Sequence, residues 1–109
     1  MTDNATIIEA AKLKSKLESI TDHRLVEHAL FEWKAAVAKL DSSDHELMVM
    51  AERIVEGKPY IAMSDNPDRI QRYRSVANDL GATVKDGGNA YPMPEGMMAI
   101  TIIPPVPKP

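Results

Sequence analysis

Histidines with nearby carboxylates are the first residues in this chain that could support acid-base or metal chemistry. His23 and Glu27 lie four residues apart, as do His28 and Glu32, so each pair shares one face of a helix. Neither pair completes the two-histidine, glutamate-containing motif of a zinc hydrolase. The favoured interpretation is ion pairing on a solvated helix face, and the sequence predicts no metal site and no cofactor.

Motifs for nucleophilic catalysis and phosphate binding are absent from the sequence. The chain has no cysteine, which excludes disulfides, thiol catalysis and cysteine metal sites. It contains neither a Gly-x-Ser-x-Gly segment nor a Gly-Lys-Ser/Thr loop, and the Gly87-Gly88 pair is interpreted as a turn. An enzyme is therefore disfavoured, and an acid-base enzyme built on His28 is the weakest of three hypotheses.

Arginine is concentrated in one segment of the second half, at Arg69, Arg72 and Arg74. Arg69 and Arg72 are three residues apart and so adjacent on a helix, and Lys85 begins the turn after the following strand. Together these four side chains could bind a phosphate or a nucleotide. Neighbouring aspartates favour salt bridges on a solvated face instead. A small anionic ligand bound by these residues is the second functional hypothesis.

A long connection between two predicted strands carries Tyr91, Met93 and Pro94. A hairpin of this kind needs only about two to five residues, whereas this stiff and partly apolar segment extends over residues 86–96. Such a loop suits recognition of a protein partner, with Tyr91, Met93 and Pro94 as the candidate contacts. The alternative is a loop folded back over an open sheet edge.

The helices that must position these side chains are indicated by an apolar residue at every seventh position: Val26, Trp33, Leu40, Leu47 and Ile54. We expect helices over 23–40 and 43–56, because the intervening Asp-Ser-Ser-Asp side chains bond to backbone. One continuous helix is the rival interpretation. Only five residues are aromatic, so Trp33 is expected at the core's centre.

Local signals place the ends of the helices. Thr6 to Glu9 and Ser43 to Glu46 both fit the capping-box pattern, so we expect one helix to begin at Thr6 and another at Ser43. A break is expected near Thr21, and Gly57 suits the position after the last helical turn.

The second half has the pattern of a small β-α-β-β unit. Strands are expected at 58–63, 82–85 and 97–103, and a helix over 67–80 is expected to be capped by Asn66 with Pro67 at its first position. The first two strands should be parallel through a right-handed crossover, and the last two should form an antiparallel hairpin. The fold class is therefore α+β: two or three N-terminal helices and a three-stranded sheet.

Length and composition fit one domain over residues 1–103, with a helical part at 5–57, a β-α-β-β part at 58–103 and a proline-rich tail at 104–109. The net charge of −3 supplies no positive field for nucleic acid or anionic lipid. No secretory signal is visible, and the longest apolar run is far shorter than the about 20 residues that span a membrane. A cytoplasmic protein without a membrane partner is expected.

The leading functional hypothesis is a small non-enzymatic interaction or regulatory protein. It would self-associate as a homo-oligomer, or bind a protein partner, through the apolar helical stripe, the open sheet edge and the 86–96 loop.

Overall fold

The structure is a computed structural model that describes residues 3–87 and 95–105. Within these residues the helices are α1 (Asn4–Ser19), α2 (His23–Val37), α3 (His45–Val55) and α4 (Pro67–Asp79), and the strands are β1 (Tyr60–Ser64), β2 (Thr83–Asp86) and β3 (Met98–Ile103). The predicted α+β class, with N-terminal helices before a β-α-β-β unit and a three-stranded sheet, is confirmed.

The first helix lies at the centre of the helical part and packs against both α2 and α3. Ile7, Ala10 and Ala11 of α1 are fully buried. The helix begins earlier than the capping box at Thr6 predicts, because the Asp3 carboxylate accepts a 2.9 Å hydrogen bond from the Thr6 backbone N–H. Asp3 thus caps the helix, and Thr6 lies inside its first turn.

The predicted break between the second and third helices is confirmed. Helix α2 ends at Val37, and a 3₁₀ turn at Ser42–Asp44 leads directly into α3. The capping box predicted at Ser43 does not form: α3 begins at His45, and Asp44 makes no side-chain cap bond. The Asp44 carboxylate instead faces Arg72 of α4 at 3.7 Å.

The strand order of the sheet is β1-β3-β2, and both pairings are antiparallel. The predicted β2–β3 hairpin is confirmed. Strands β1 and β2 run in the same direction, as predicted, but β3 lies between them. Helix α4 connects them, and the Asn66 side chain accepts from the Asp68 N–H at 2.9 Å with Pro67 in the first turn, as predicted.

The core lies between the helices and the inner face of the sheet. Ala62, Ile100 and Ile102 supply the strand side, and α4 covers them with four buried residues: Ile70, Tyr73, Val76 and Ala77. The expectation that Trp33 occupies the centre is wrong. Trp33 is half-buried at the edge of the core, because the helix that carries it, α2, packs mainly against α1. The Lys14 ammonium lies 4.9 Å from the Trp33 ring.

No helix within the described ranges combines the length and the apolar character that crossing a membrane requires.

Candidate interaction surface

The predicted arginine site is divided among different acidic partners. Arg69 donates to the backbone carbonyl of Ser43 and lies 3.2 Å from the Glu46 carboxylate. Arg72 donates to the Asn4 side-chain carbonyl at 2.8 Å and pairs with Asp44. These contacts join α4 to the starts of α1 and α3.

The other two predicted anion ligands lie apart from this pair. Arg74 forms an ion pair with Asp86 of β2. Lys85 is the neighbour of Asp86 in the same strand and stands opposite Thr101 in β3. Because successive strand residues point to opposite faces, Lys85 points away from the face that α4 covers, and the structure does not bring Lys85 together with Arg69 and Arg72. An anion site built from all four residues stays a prediction. The partner-binding candidates Tyr91, Met93 and Pro94 lie outside the described residues.

A carboxylate cluster forms where the last turns of α1 and α3 meet. Oxygens of Glu18, Glu52 and Glu56 all lie within 4.8 Å of one another. Sequence inspection missed this cluster, because Glu18 belongs to a different helix from the other two. Carboxylates this close together could hold a cation. Two lysines already neutralise part of their charge, because Lys14 lies 3.2 Å from Glu18 and Lys58 lies 3.7 Å from Glu56.

Burial and carboxylate repulsion control protonation within this cluster. Desolvation, and then the hydrogen bond and negative charge of Glu18, raise the pKa of Glu52 to about 7. Hydrogen bonds from Lys14 and from Glu52 hold the pKa of Glu18 below its ordinary value. Below about pH 7, Glu52 is therefore protonated, which relieves its repulsion with Glu18 across the α1–α3 contact.

The face of the sheet opposite α4 carries apolar side chains. Strand alternation assigns to this outer sheet face the side chains that do not point toward α4: Ile61, Met63, Thr83, Lys85, Ala99, Thr101 and Ile103. Ile61 and Met63 are 43% and 55% exposed, although both are large apolar residues. A hollow of about 390 Å³ adjoins Ile61 at the start of β1, and it is lined by Arg53, Pro59, Tyr60, Ile61 and Thr101.

The two edges of the sheet differ in charge. Strand β2 carries Lys85 and Asp86 among its four residues, and charged side chains of this kind discourage pairing with another chain. Strand β1, with the sequence Tyr-Ile-Ala-Met-Ser, has no charge, and no described strand pairs with its outer side. An uncharged apolar edge strand is a template for adding a further strand.

A larger apolar hollow of about 570 Å³ lies along the outer side of α1, bordered by Lys12, Lys16 and Asp79. All its other described lining residues belong to α1: Ala5, Ile8, Glu9 and Leu13. Nothing among the described residues shows what covers this hollow, whereas β1 offers both apolar side chains and an unpaired backbone edge.

Comparison with known proteins returns no matching family model, no matching curated protein and no matching solved structure. The function of this chain is therefore inferred from its own geometry.

Proposed function

We propose that this chain is a small non-enzymatic protein-interaction module that binds an extended protein segment along β1. The observation that carries the proposal is the contrast between the two sheet edges: β2 is charged, and β1 is uncharged and exposes Ile61 and Met63. Backbone hydrogen bonds along the edge would supply affinity, and alternate side chains over the outer sheet face would supply specificity.

The helical stripe contributes less surface to this function than its sequence pattern suggests. Leu40, Leu47 and Ile54 are buried in the core. Val26 and Trp33 are half-buried on α2. Since Leu40, Leu47 and Ile54 of the stripe stabilise the fold, the proposed binding surface lies on the sheet, and partner binding by the 86–96 loop stays a prediction.

The alternative function, binding of a small anion by α4, has weaker support. Arg69, Arg72 and Arg74 already pair with Glu46, Asp44 and Asp86. An anion would have to displace these carboxylates, and each displacement would leave an acidic group without its cation.

Selection from a library of displayed random peptides, at nanomolar protein concentration, tests the proposed function. We expect the unmodified chain to select uncharged peptides rich in β-branched and apolar residues. Met63→Lys places a charge at the edge and should abolish the selection. Thr83→Lys is the matched control, because it places the same charge on the same sheet face but at the β2 edge. Failure to select peptides, or equal selection by the Met63→Lys variant, would contradict the proposal.

A further inference from the structure

We propose that the segment bound by β1 is β1 of a second copy of this chain, paired antiparallel and centred on Ala62, so that two three-stranded sheets become one sheet of six strands. This inference rests on the proposed function and names its partner. An arrangement of this kind has twofold symmetry, in which each copy offers the same strand to the other and the interface closes at two subunits.

Charge at the ends of β1 determines the direction of pairing. Exposed Lys58 lies just before the strand, and exposed Asp65 follows it directly. Antiparallel pairing centred on Ala62 places Asp65 of each copy opposite Pro59 of the other and one residue away from Lys58, so each end of the interface holds one lysine and one aspartate. Lys58 also lies 3.7 Å from Glu56 of its own chain. Parallel pairing would place Lys58 beside Lys58 and Asp65 beside Asp65, and like charges in adjacent strands are destabilising.

The side chains of β1 determine the register. Directly opposed residues of an antiparallel pair lie on the same face of the sheet. Centring on Ala62 places Ile61 of each copy opposite Met63 of the other, and this covers the two exposed apolar side chains of the strand. Centring on Met63 would oppose Ile61 with Asp65, and centring on Ile61 would oppose Met63 with Pro59, which has no N–H to donate. Of these three registers, the Ala62-centred one places both exposed apolar residues of each strand opposite an apolar residue of the other strand.

The opposite edge limits the assembly to two copies. In the six-stranded sheet both outer edges are β2, where Lys85 and Asp86 discourage further addition. The proposal therefore predicts a closed dimer, not a fibre.

Cysteine cross-linking tests the register directly, because the chain contains no cysteine of its own. Ile61→Cys and Met63→Cys are made as separate variants and mixed in equal amounts under oxidising conditions. In the proposed register residues 61 and 63 of different copies face each other with Cα atoms about 5 Å apart, within disulfide range. Identical residues lie about 7–8 Å apart on the diagonal. We expect the mixture to form a disulfide-linked dimer several-fold faster than either variant alone.

Light scattering combined with size-exclusion chromatography tests the assembly itself. We expect a concentration-dependent mass approaching twice the 12.0 kDa of the chain. Met63→Lys should raise the dissociation constant at least about tenfold, whereas the Thr83→Lys control should leave it within about twofold. Lys58→Glu should weaken the dimer and Lys58→Glu combined with Asp65→Lys should restore it, because the double substitution exchanges the charges at both ends.

The outcomes separate this inference from the proposed function. A chain that stays monomeric at high concentration while it selects extended peptides would overturn self-pairing and leave the interaction function standing. A dimer that Met63→Lys does not weaken, or that cross-links equally well through Lys85→Cys on β2, would also overturn self-pairing. A chain that forms no dimer and selects no peptides would overturn both proposals.

Discussion

Asp44 shows at the scale of one residue how the charges of this protein are arranged. It is the buried charged residue among those described, with 3% exposure, and its carboxylate lies 3.7 Å from the Arg72 guanidinium. Arg72 in turn donates to Asn4. Arg72 therefore links the starts of α1 and α3 to the middle of α4 through one hydrogen bond and one ion pair. Removal of the Asp44 carboxylate would weaken the charge compensation of the Arg72 guanidinium.

Asp44→Ala should lower the free energy of unfolding by about 2 kcal/mol, less than the full cost of breaking a buried pair because Asn4 still accepts from Arg72. Asp86→Ala breaks another aspartate–arginine pair on the same helix, but the Asp86 side chain is 83% exposed. This control should cost less than about 0.5 kcal/mol. Urea unfolding of both variants measures the difference, and equal losses would contradict the assigned role of Asp44.

Glu52 gives the protein a stability that depends on pH. Its pKa is raised from the ordinary 4.5 to about 7, so the folded chain holds a proton that the unfolded chain releases. The stabilising contribution is therefore complete below about pH 4.5 and is lost as pH rises through about 7. Since Glu52 is partly exposed, we expect a loss of about 1 kcal/mol between about pH 5 and pH 8.

Glu52→Gln should remove most of this pH dependence and make the protein more stable than the unmodified chain at about pH 8. Urea unfolding at both pH values measures the effect. Glu27→Gln, at an exposed site on α2, is the control and should leave the pH dependence unchanged. If the free energy of unfolding of the Glu52→Gln variant still fell between these pH values, groups other than Glu52 would be responsible.

At the scale of elements, α1 is the helix around which the others pack. Its buried face contains Ala10 and Ala11, whose small side chains allow close approach of the neighbouring helices. Space along this contact is limited, because protein interiors are close-packed and a larger side chain forces its neighbours to move. The opposite side of α1, which includes Ala5, borders an open hollow instead.

Ala11→Leu should therefore lower the free energy of unfolding by about 2 kcal/mol through overpacking. Ala5→Leu makes the same chemical change on the exposed side of the same helix and should change stability by less than about 0.5 kcal/mol. Thermal and urea unfolding compare the two variants. If Ala5→Leu destabilised the chain as much as Ala11→Leu does, the assignment of the two faces of α1 would be wrong.

At the scale of the whole molecule, the helical part and the sheet share one core. The same buried cluster contains Ile7 of α1, Leu47 of α3, Val76 of α4 and Ile100 of β3. Because these residues come from both halves of the chain, neither half can lose its packing without exposing apolar surface of the other.

Unfolding should accordingly be a single cooperative transition. Trp33 is the only tryptophan of the chain, so its fluorescence reports on the α1–α2 contact, while far-ultraviolet circular dichroism reports on all helices. The two probes should give coincident urea curves at low protein concentration. A fluorescence transition that precedes the loss of circular dichroism would show that α2 detaches before the rest unfolds.

The sequence by itself determined the local features of this protein. Asn66 and Pro67 start α4 as expected, and Gly57 takes the left-handed conformation (φ 81°) that its place after α3 requires. These features are set by groups a few residues apart, so a local pattern is sufficient to predict them. The helical periodicity likewise predicted α2 and α3, and the Asp-Ser-Ser-Asp segment at 41–44 predicted the break between them.

The tertiary structure decided the features that depend on distant parts of the chain. Asp44 faces Arg72 instead of capping its helix, Glu18 meets Glu52, and Trp33 lies at the edge of the core. The insertion of β3 between β1 and β2 left β1 as an uncharged edge. Each of these outcomes depends on which elements pack together, because contacts between residues far apart in sequence are set by the burial of the whole core and not by any local pattern.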